Sequence, residues 1–482
     1  MKYLFFYIDS QTDSAYTSGL GIASLSGYLK KHGHYTSLVY YKRQNDFKYA
    51  LDKIKKEKPH IICFYSTSVG FQTVNFLSEK IRKKFPDIFQ IYGGIHAILQ
   101  PESIYKIPTL DAICTGYGET PLLNYGNAVH NSKHKDPVNG IWLRPERSQP
   151  HSVLKTAPHF PDNENPDKYL NFDYQIFLDE FSRFSDFKRK DYRLEIIFNR
   201  TCPFDCSFCC NKRLREIYNN NKFITSPEKS FAFLKETIEK IDVESIVFHD
   251  DILTLHKKWF HPFMEAYARD IKKPFVCNLR AGCFGEEEIK LLKKANVRSV
   301  WIGVESGNDF VLNQIMNKQV TKKQLVEAFQ LFKKYNIPAF TQNIIGLPFE
   351  TPEMFMDTIR LNAQLNPHES RISIFFPYPT TALHTLCEKH QFIGKQSDSF
   401  VERQSSILKM PHFSKNQIQL LYNNFPRLIK YQKDRNSGDP FAFIPLKAAT
   451  VKLILLWIKI MQQGKKYYQE TIKKYSRYKN KL

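Results

Sequence analysis

The stretch Asn199-Arg200-Thr201-Cys202-Pro203-Phe204-Asp205-Cys206-Ser207-Phe208-Cys209-Cys210 holds four of the chain's nine cysteines. Cys202, Cys206 and Cys209 are spaced C-x3-C-x2-C directly after a candidate strand, so their thiolates can converge from one loop. Three thiolates leave one iron of a [4Fe–4S] cube without a protein ligand. An open coordination position is what a catalytic metal centre needs. Two other readings of the same residues stay open: a zinc site completed by Cys210 or a distant histidine, and buried thiols that bind no metal. Cys210 reads as a bystander, because ligation by adjacent residues would distort a tight loop.

Outward from this loop, short apolar runs alternate with amphipathic helical patterns. Candidate strands are Leu194–Asn199, Ser245–His249, Phe275–Leu279, Ser299–Val304, Ala339–Ile345 and Arg371–Phe376. Ser226-Pro227-Glu228 and Thr351-Pro352-Glu353 each offer an N-cap followed by proline at the first helical position. Thr321 with Gln324 forms a capping box before Leu325–Lys334. Strands alternating with helices imply parallel βαβ units. Six units are too few for an eightfold barrel and suit a partial, TIM-like (β/α)6 barrel with one open side.

A similar alternation fills residues 1–145, with strand candidates Tyr3–Ile8, Thr36–Tyr40, Ile61–Tyr65, Phe89–Tyr92 and Ala112–Thr115 and helical patterns such as Gly21–His32 and Gln72–Lys84. This pattern predicts an open, doubly wound, Rossmann-like α/β sheet, in which ligands sit beyond the carboxyl ends of the strands. Ser66-Thr67-Ser68 follows the third candidate strand, Gly93-Gly94 the fourth, and Gly116-Tyr117-Gly118-Glu119 the fifth. Residues 146–190 are Pro-rich, polar and aromatic without a clean period, and read as a linker packed on its neighbours. From about residue 395 the alternation stops and helices dominate. The domain plan is therefore 1–145, a linker over 146–190, a core over 191–394 and a helical, basic region over 395–482.

A chain of 482 residues exceeds one ordinary core, and two or three domains are the prior. Its 42% hydrophobic content is too high for a disordered protein. The net charge of +22 points to an anionic partner: nucleic acid, a membrane surface or an acidic substrate. From Lys447 to Leu482 nine lysines and one arginine face the single acid Glu470. Within that tail Ala448–Met461 is apolar but broken by Lys452 and Lys459, which share one helical face. With Trp457 as an interface anchor, it reads as a solvated helical cap or as an interfacial helix. Nucleic-acid binding is not expected, since no reading module is visible. The N-terminus lacks a long apolar h-region and a small-residue cleavage site, so no signal peptide is expected. No apolar run approaches about 20 residues, so no spanning helix is expected either. The cysteine usage argues for metal binding or buried thiols rather than a disulfide framework. The expected location is the cytoplasm, with peripheral contact at the inner face of the membrane through the basic tail.

The cysteine loop resembles the radical S-adenosylmethionine (SAM) signature, with Phe208 as the aromatic residue before the third cysteine. The resemblance runs over residues 190–390. Phe248-His249-Asp250-Asp251 ends the second strand, where that family places the group that binds the methionine amine of SAM. Asn278 and Arg280 end the third. Gly303-Val304-Glu305-Ser306-Gly307 ends the fourth and is similar to the family's G-x-E-S-G element, whose Glu reaches toward the SAM ribose and whose Ser adds polar contacts. Gly346-Leu347-Pro348-Phe349-Glu350-Thr351 resembles G-L-P-G-E-T with Phe349 in place of glycine. Pro377-Tyr378-Pro379-Thr380-Thr381 resembles P-Y-P-G-T, again without its glycine. These two departures are expected to alter loop shape near the adenine. Each element alone has an ordinary explanation: Asp250 and Asp251 could cap a helix, and Glu305 could be a surface residue. All fall at carboxyl ends of predicted strands, the face where barrel enzymes build sites.

The order of domains resembles the cobalamin-binding radical SAM enzymes. Gly93-Gly94-Ile95-His96 with Pro101-Glu102 is similar to that subfamily's G-G-x-H…P-E stretch, and Gly116-Tyr117-Gly118-Glu119 to its G-E-G-E element. The resemblance implies a cobalamin contacted by Ser66, Thr67, Ser68, Gly93, Gly94, His96, Gly116, Gly118 and Glu119. The D-x-H-x-x-G motif is absent, so a cobalt without a protein ligand on its lower face is expected, with His96 structural or touching the cofactor tail. A degenerate domain that binds no cobalamin is the competing reading. The resemblance further implies a [4Fe–4S] cluster on Cys202, Cys206 and Cys209. SAM would be held by Phe208, Asp250, Asp251, Asn278, Arg280, Glu305, Ser306, Gly346, Pro348 and Tyr378, and a flavodoxin- or ferredoxin-type protein would donate electrons. The implied activity is methylation of an unactivated carbon of a small-molecule or lipid-like substrate. Radical cyclisation or rearrangement without methyl transfer is the alternative, and a non-catalytic iron–sulfur or cobalamin sensor is a third class.

Overall fold

The computed structural model describes residues 1–9, 16–42, 46–161, 165–220, 222–394 and 403–437. The basic tail from Lys447, with Lys452, Trp457 and Lys459, lies outside the described residues. The chain divides into two compact units: Met1–Thr201 with Arg213–Asp250, and Cys202–Lys212 with Asp251–Leu482.

The first unit is built on a six-stranded sheet of β1 (Lys2–Ile8), β2 (Tyr35–Tyr41), β3 (Ile61–Tyr65), β4 (Phe89–Gly93), β5 (Ala112–Cys114) and β6 (Ile141–Leu143). Its order is β2-β1-β3-β4-β5-β6. The first five strands are parallel, and β1 is central enough to pair with both β2 and β3. Their near-continuous apolar runs are buried on both faces, as a helix-covered parallel sheet requires. All five expected strands are present. The sixth, β6, was not expected. It pairs antiparallel with β5, and three residues are too short to show a period.

In the segment read as a linker, the helix Gln175–Phe181 buries Ile176, Phe177, Leu178 and Phe181. It packs along the outer strand β2. There the Glu180 carboxylate accepts the Tyr40 backbone N–H at 3.0 Å and pairs with Lys53 at 3.1 Å. Arg183 donates to the Tyr40 carbonyl.

The second series of strands is β7 (Arg193–Ile196), β8 (Ser245–Phe248), β9 (Phe275–Leu279), β10 (Val297–Glu305), β11 (Ala339–Ile345) and β12 (Glu369–Ile374). The six strands match the six expected βα units. β7 pairs with β8, and β9 to β12 pair successively, all in parallel. The capping box at Thr321 and Gln324 is present, and Thr351 accepts the Met354 N–H at 3.3 Å. Ser226 stands at its N-cap position without capping: its hydroxyl and N–H both go to the Asp167 carboxylate at 2.7 Å. In the helical C-terminal region, Lys415–Ser437 packs Ile418, Leu421, Phe425 and Ile429 into the core against Phe355 and Ile359 of the helix Pro352–Leu365.

Phe349 and Thr380, the residues that replace glycine in the two loop elements, have φ of +64° and +69°. Both loops therefore keep the left-handed turn that glycine favours.

Candidate active site

The cysteine loop of the second unit is fixed by backbone contacts that its sequence does not announce. Ser207 N–H donates to the Met316 carbonyl at 2.8 Å, and the Ser207 carbonyl accepts from Leu383 N–H at 3.0 Å. Asn317 Nδ2 donates to the Asp205 carbonyl at 3.0 Å. Cys209 N–H donates to the Cys206 carbonyl at 3.0 Å, which closes a tight turn between the two cysteines. Burial pushes the Cys202 thiol up to about 11 and raises Cys206 as well, where Lys318 and Arg280 oppose it. Cys209 is raised chiefly by its hydrogen bond with Cys210. Unliganded thiols therefore hold their protons, and metal binding would displace them.

Residues of later strands crowd this loop. The Arg280 guanidinium lies 3.6 Å over the Phe204 ring, and one of its amino groups is 3.9 Å from Cys206 Sγ. Its other amino group donates to the Lys318 carbonyl. Glu305 ends β10 at a bulge between Gly303 and Glu305, with φ +64°. A bulge re-aims a side chain, and here it turns the Glu305 carboxylate onto Lys318 Nζ at 2.8 Å. Lys318 also lies 5.8 Å over the Phe208 ring. Gly303 permits the pair: a Cβ there would come within 2.3 Å of Glu305 Oε1 and 2.6 Å of Lys318 Nζ.

The remaining predicted SAM contacts have mixed roles. Ser306 is buried and accepts the Asn308 N–H at 3.2 Å. Asn278, half-buried, receives Leu253 N–H on its carbonyl at 3.0 Å. Asp251 takes a hydrogen bond from Asn211, and desolvation raises it above the ordinary carboxyl range. Gly346, with φ +82°, and Leu347 donate their N–H groups to Glu350 Oε2 at 2.6 and 3.2 Å, and Pro348 is buried. Burial pushes Glu350 up to about 8, and its Oε1 has no partner among the described residues. Tyr378 Oη accepts from Arg403 Nε at 2.9 Å. In the first unit, Asp250 is buried and accepts Phe198 N–H at 3.1 Å and Asn199 N–H at 2.8 Å. This makes it the anchor of the strand that leads into the cysteine loop.

The residues expected around cobalamin lie at the carboxyl ends of β3, β4 and β5 and divide in the same way. Ser66 is paired with Tyr92 Oη at 2.8 Å. His96 uses both ring nitrogens, on Ser68 and Ser103 Oγ at 2.9 Å each, and burial lowers it to about 4. It is a neutral structural tie. Gly94, at φ +93°, makes room for the Tyr65 ring, and Gly116 lies against the His159 backbone, whose carbonyl a Cβ would approach to 2.2 Å. Gly118 faces Leu25. Glu119 is buried and accepts from Ser24 at 2.6 Å, with Arg200 at 3.8 Å. Among the described residues Thr67 Oγ1 is buried without a partner, and a Cβ on Gly93 would meet only Cys114, at 3.8 Å.

These features fit the implied groups. Among the described residues, the one trio of metal-ligating side chains whose atoms converge within 4.8 Å is His261, Glu287 and Glu288. Three cysteines on one loop are the donor set that a [4Fe–4S] cube takes while leaving one iron open. The orphaned Thr67 hydroxyl and the uncrowded Gly93 are what a cofactor lying along the strand ends would satisfy. Lys318, Arg403, Asn211 and Glu350 escaped the sequence reading. Only Glu350, inside a recognised element, had a signal that could have marked it.

The Radical SAM superfamily model matches residues 196–361, and the B12 binding domain model matches residues 13–125. The anaerobic magnesium-protoporphyrin IX monomethyl ester cyclase of Rubrivivax gelatinosus is 27% identical over 416 residues, covering 83% of this chain and 73% of that protein. The hopanoid C-3 methylase of Methylococcus capsulatus is 24% identical over 374 residues, covering 76% and 68%. The radical SAM methyltransferase TsrM of Kitasatospora setae, solved with cobalamin and a [4Fe–4S] cluster bound, shares the fold with a TM-score of 0.65. It is 15% identical and the match covers 88% of this chain and 85% of TsrM.

Proposed function

We infer the function from the premise that this chain belongs to the cobalamin-binding radical SAM enzymes. It is an enzyme of that class, and we propose that it methylates an unactivated carbon of a small-molecule or lipid-like substrate. When bound, the cluster and SAM supply a 5′-deoxyadenosyl radical for hydrogen abstraction, and cobalamin supplies the methyl group. We assign cobalamin to residues 1–145 and the radical chemistry to residues 191–394.

The chain's own residues supply position and shelter. Cys202, Cys206 and Cys209 hold the cluster, and Arg280 places a cation 3.9 Å from one of its sulfurs. Such a cation favours electron uptake at a thiolate-bound centre. Lys318 fixes the Glu305 carboxylate, the group we assign to the SAM ribose, while Asp251 and the Gly346–Pro348 turn complete the SAM pocket. Thr67 donates to the cobalamin tail. The observation that carries the reading is the convergence of Arg280, Lys318 and Glu305 on the cysteine loop.

The cyclase relative favours a second reading, oxidative cyclisation with the same cofactors. An electron donor of flavodoxin or ferredoxin type is part of either proposal. No helix of the described residues is long and apolar enough to cross a membrane. Contact of the tail with anionic lipid at the inner face of the membrane is proposed on sequence alone, and vesicle sedimentation with and without residues 446–482 tests it.

The deciding experiment is anaerobic reconstitution followed by assay of 5′-deoxyadenosine with dithionite and SAM. We expect release in the wild type and loss of at least a hundredfold in Cys206→Ala. No release, or release that survives Cys206→Ala, rejects the enzyme reading. Transfer of label from the SAM methyl group to substrate then separates methylation from cyclisation.

A further inference from the structure

Alternate residues of β11 point to opposite sides. Thr341 and Asn343 reach Asn362 on the outer helix Pro352–Leu365, at 2.7 Å and 2.8 Å. Phe340, Gln342 and Ile344 therefore face inward. Register extends this inner wall: Trp301 of β10 lies opposite Phe340, and Gly303 opposite Gln342. From β12, Glu369 lies opposite Phe340 and Arg371 opposite Gln342.

The Arg371 guanidinium is 5.0 Å over the Phe340 ring and 5.4 Å over the Trp301 ring. Its Nε donates to Glu369 Oε1 at 2.7 Å, which fixes the plane of the fork. Its two terminal amino groups have no acceptor among the described residues, and the side chain is 41% exposed. The Trp301 indole N–H is buried and also lacks an acceptor. A Cβ on Gly303, in the row of Gln342 and Arg371, would meet Glu305 Oε1 at 2.3 Å and Lys318 Nζ at 2.6 Å, so this row borders the end of the strand assigned to SAM.

The wall thus offers donors held in fixed directions and lacks the acceptor they need. A guanidinium braced on aromatic faces keeps its charge and presents a planar fork that matches a carboxylate with two parallel hydrogen bonds. A buried indole N–H without a partner is costly unless a ligand meets it.

We propose that Arg371, braced by Phe340 and Trp301, and the Trp301 N–H form a subsite for an oxyanion of the ligand, a carboxylate foremost. The substrate class is then a small molecule bearing a carboxylate. Calling the ligand a substrate rests on the function proposed above, whereas the binding site itself does not.

The test is calorimetric titration of the purified full chain with octanoate, octyl phosphate and octanol. We expect octanoate to bind, at least tenfold more weakly in Arg371→Gln and severalfold more weakly in Trp301→Phe, which keeps the stack and removes the N–H. Tighter binding of octyl phosphate that is also lost in Arg371→Gln supports the oxyanion subsite and assigns it to phosphate. Octanol binding as well as octanoate, or octanoate binding unchanged in Arg371→Gln, overturns the proposal. If Arg371→Gln fails to fold by circular dichroism, Arg371→Lys and Trp301→Phe decide. Absence of 5′-deoxyadenosine in the separate turnover assay rejects the enzyme reading and leaves the binding result standing.

Discussion

Replacing Lys318 by methionine should be one of the most damaging single changes at this site. Lys318 Nζ and Glu305 Oε1 are 2.8 Å apart, and each side chain is 10% exposed. At an effective dielectric near 20, two unit charges at this distance attract by about 6 kcal/mol before desolvation is subtracted. Removing one partner leaves the other as an uncompensated buried charge, which costs about 3–5 kcal/mol. Glu305 cannot swing away cheaply, because it sits at φ +64° on a bulge and its Oε1 already fills the space where a Cβ on Gly303 would lie. Glu305→Gln removes the charge at nearly constant volume. The double variant Lys318→Met/Glu305→Gln should therefore recover to within about 1–2 kcal/mol of wild type. Urea unfolding of the unloaded protein, followed by tryptophan fluorescence, measures all four corners of the cycle; Trp301 lies on the same strand as Glu305. A single-variant cost below about 1 kcal/mol, or a double variant no more stable than Lys318→Met, would refute the reasoning.

Three further outcomes are expected. Asp250→Asn keeps one acceptor and loses the charge, so amide exchange at Phe198 and Asn199 should accelerate by roughly 10–100-fold, from a charged hydrogen bond of about 1.5–3 kcal/mol; unchanged protection would remove Asp250 as the anchor. Thr67→Val should leave the unloaded protein equal or more stable and weaken cobalamin binding about tenfold, since it removes a buried hydroxyl without a partner; equal affinity by absorbance titration counts against the assignment. Glu350 is held near 8 when folded against about 4.5 unfolded, so its contribution is fully present below pH 4.5 and is lost as pH rises to about 8. Glu350→Gln should gain stability over the wild type by on the order of a few kcal/mol across that window, and parallel pH profiles for the two proteins would show that Glu350 is already ionised.

Much of the fold was legible because the first sheet's strands are near-continuous apolar runs buried on both faces, and helices of the second series open on caps written in the sequence, at Thr321 and Thr351. The capping box at Thr321 depends on four adjacent residues, so the sequence alone contains it. Ser226 carried the same kind of signal, yet its hydroxyl is taken by Asp167, a long-range partner that no local pattern encodes. The three cysteines proposed to hold the cluster were legible from spacing. Lys318 was not, because its role depends on a bulge thirteen residues earlier in the chain that turns Glu305 toward it. Gly94 and Gly116 are small because Tyr65 and the His159 backbone occupy the space beside them. Phe349 and Thr380 show the converse: a left-handed turn persists without glycine where surrounding packing imposes it, at a cost of about 1–2 kcal/mol per residue.

The treatment of the first sheet's outer strand has a consequence for how this protein behaves at high concentration. An exposed parallel edge is a template on which another chain can add a strand. On β2 that template is spoiled: the Tyr40 N–H is held by Glu180, its carbonyl by Arg183, and the Leu38 carbonyl by Lys53 at 2.7 Å. At the other edge β6 runs antiparallel and Leu143 is bridged to Leu154. Charged side chains thus stand where a neighbouring backbone would have to bond, which protects the sheet against edge-to-edge aggregation during expression and concentration.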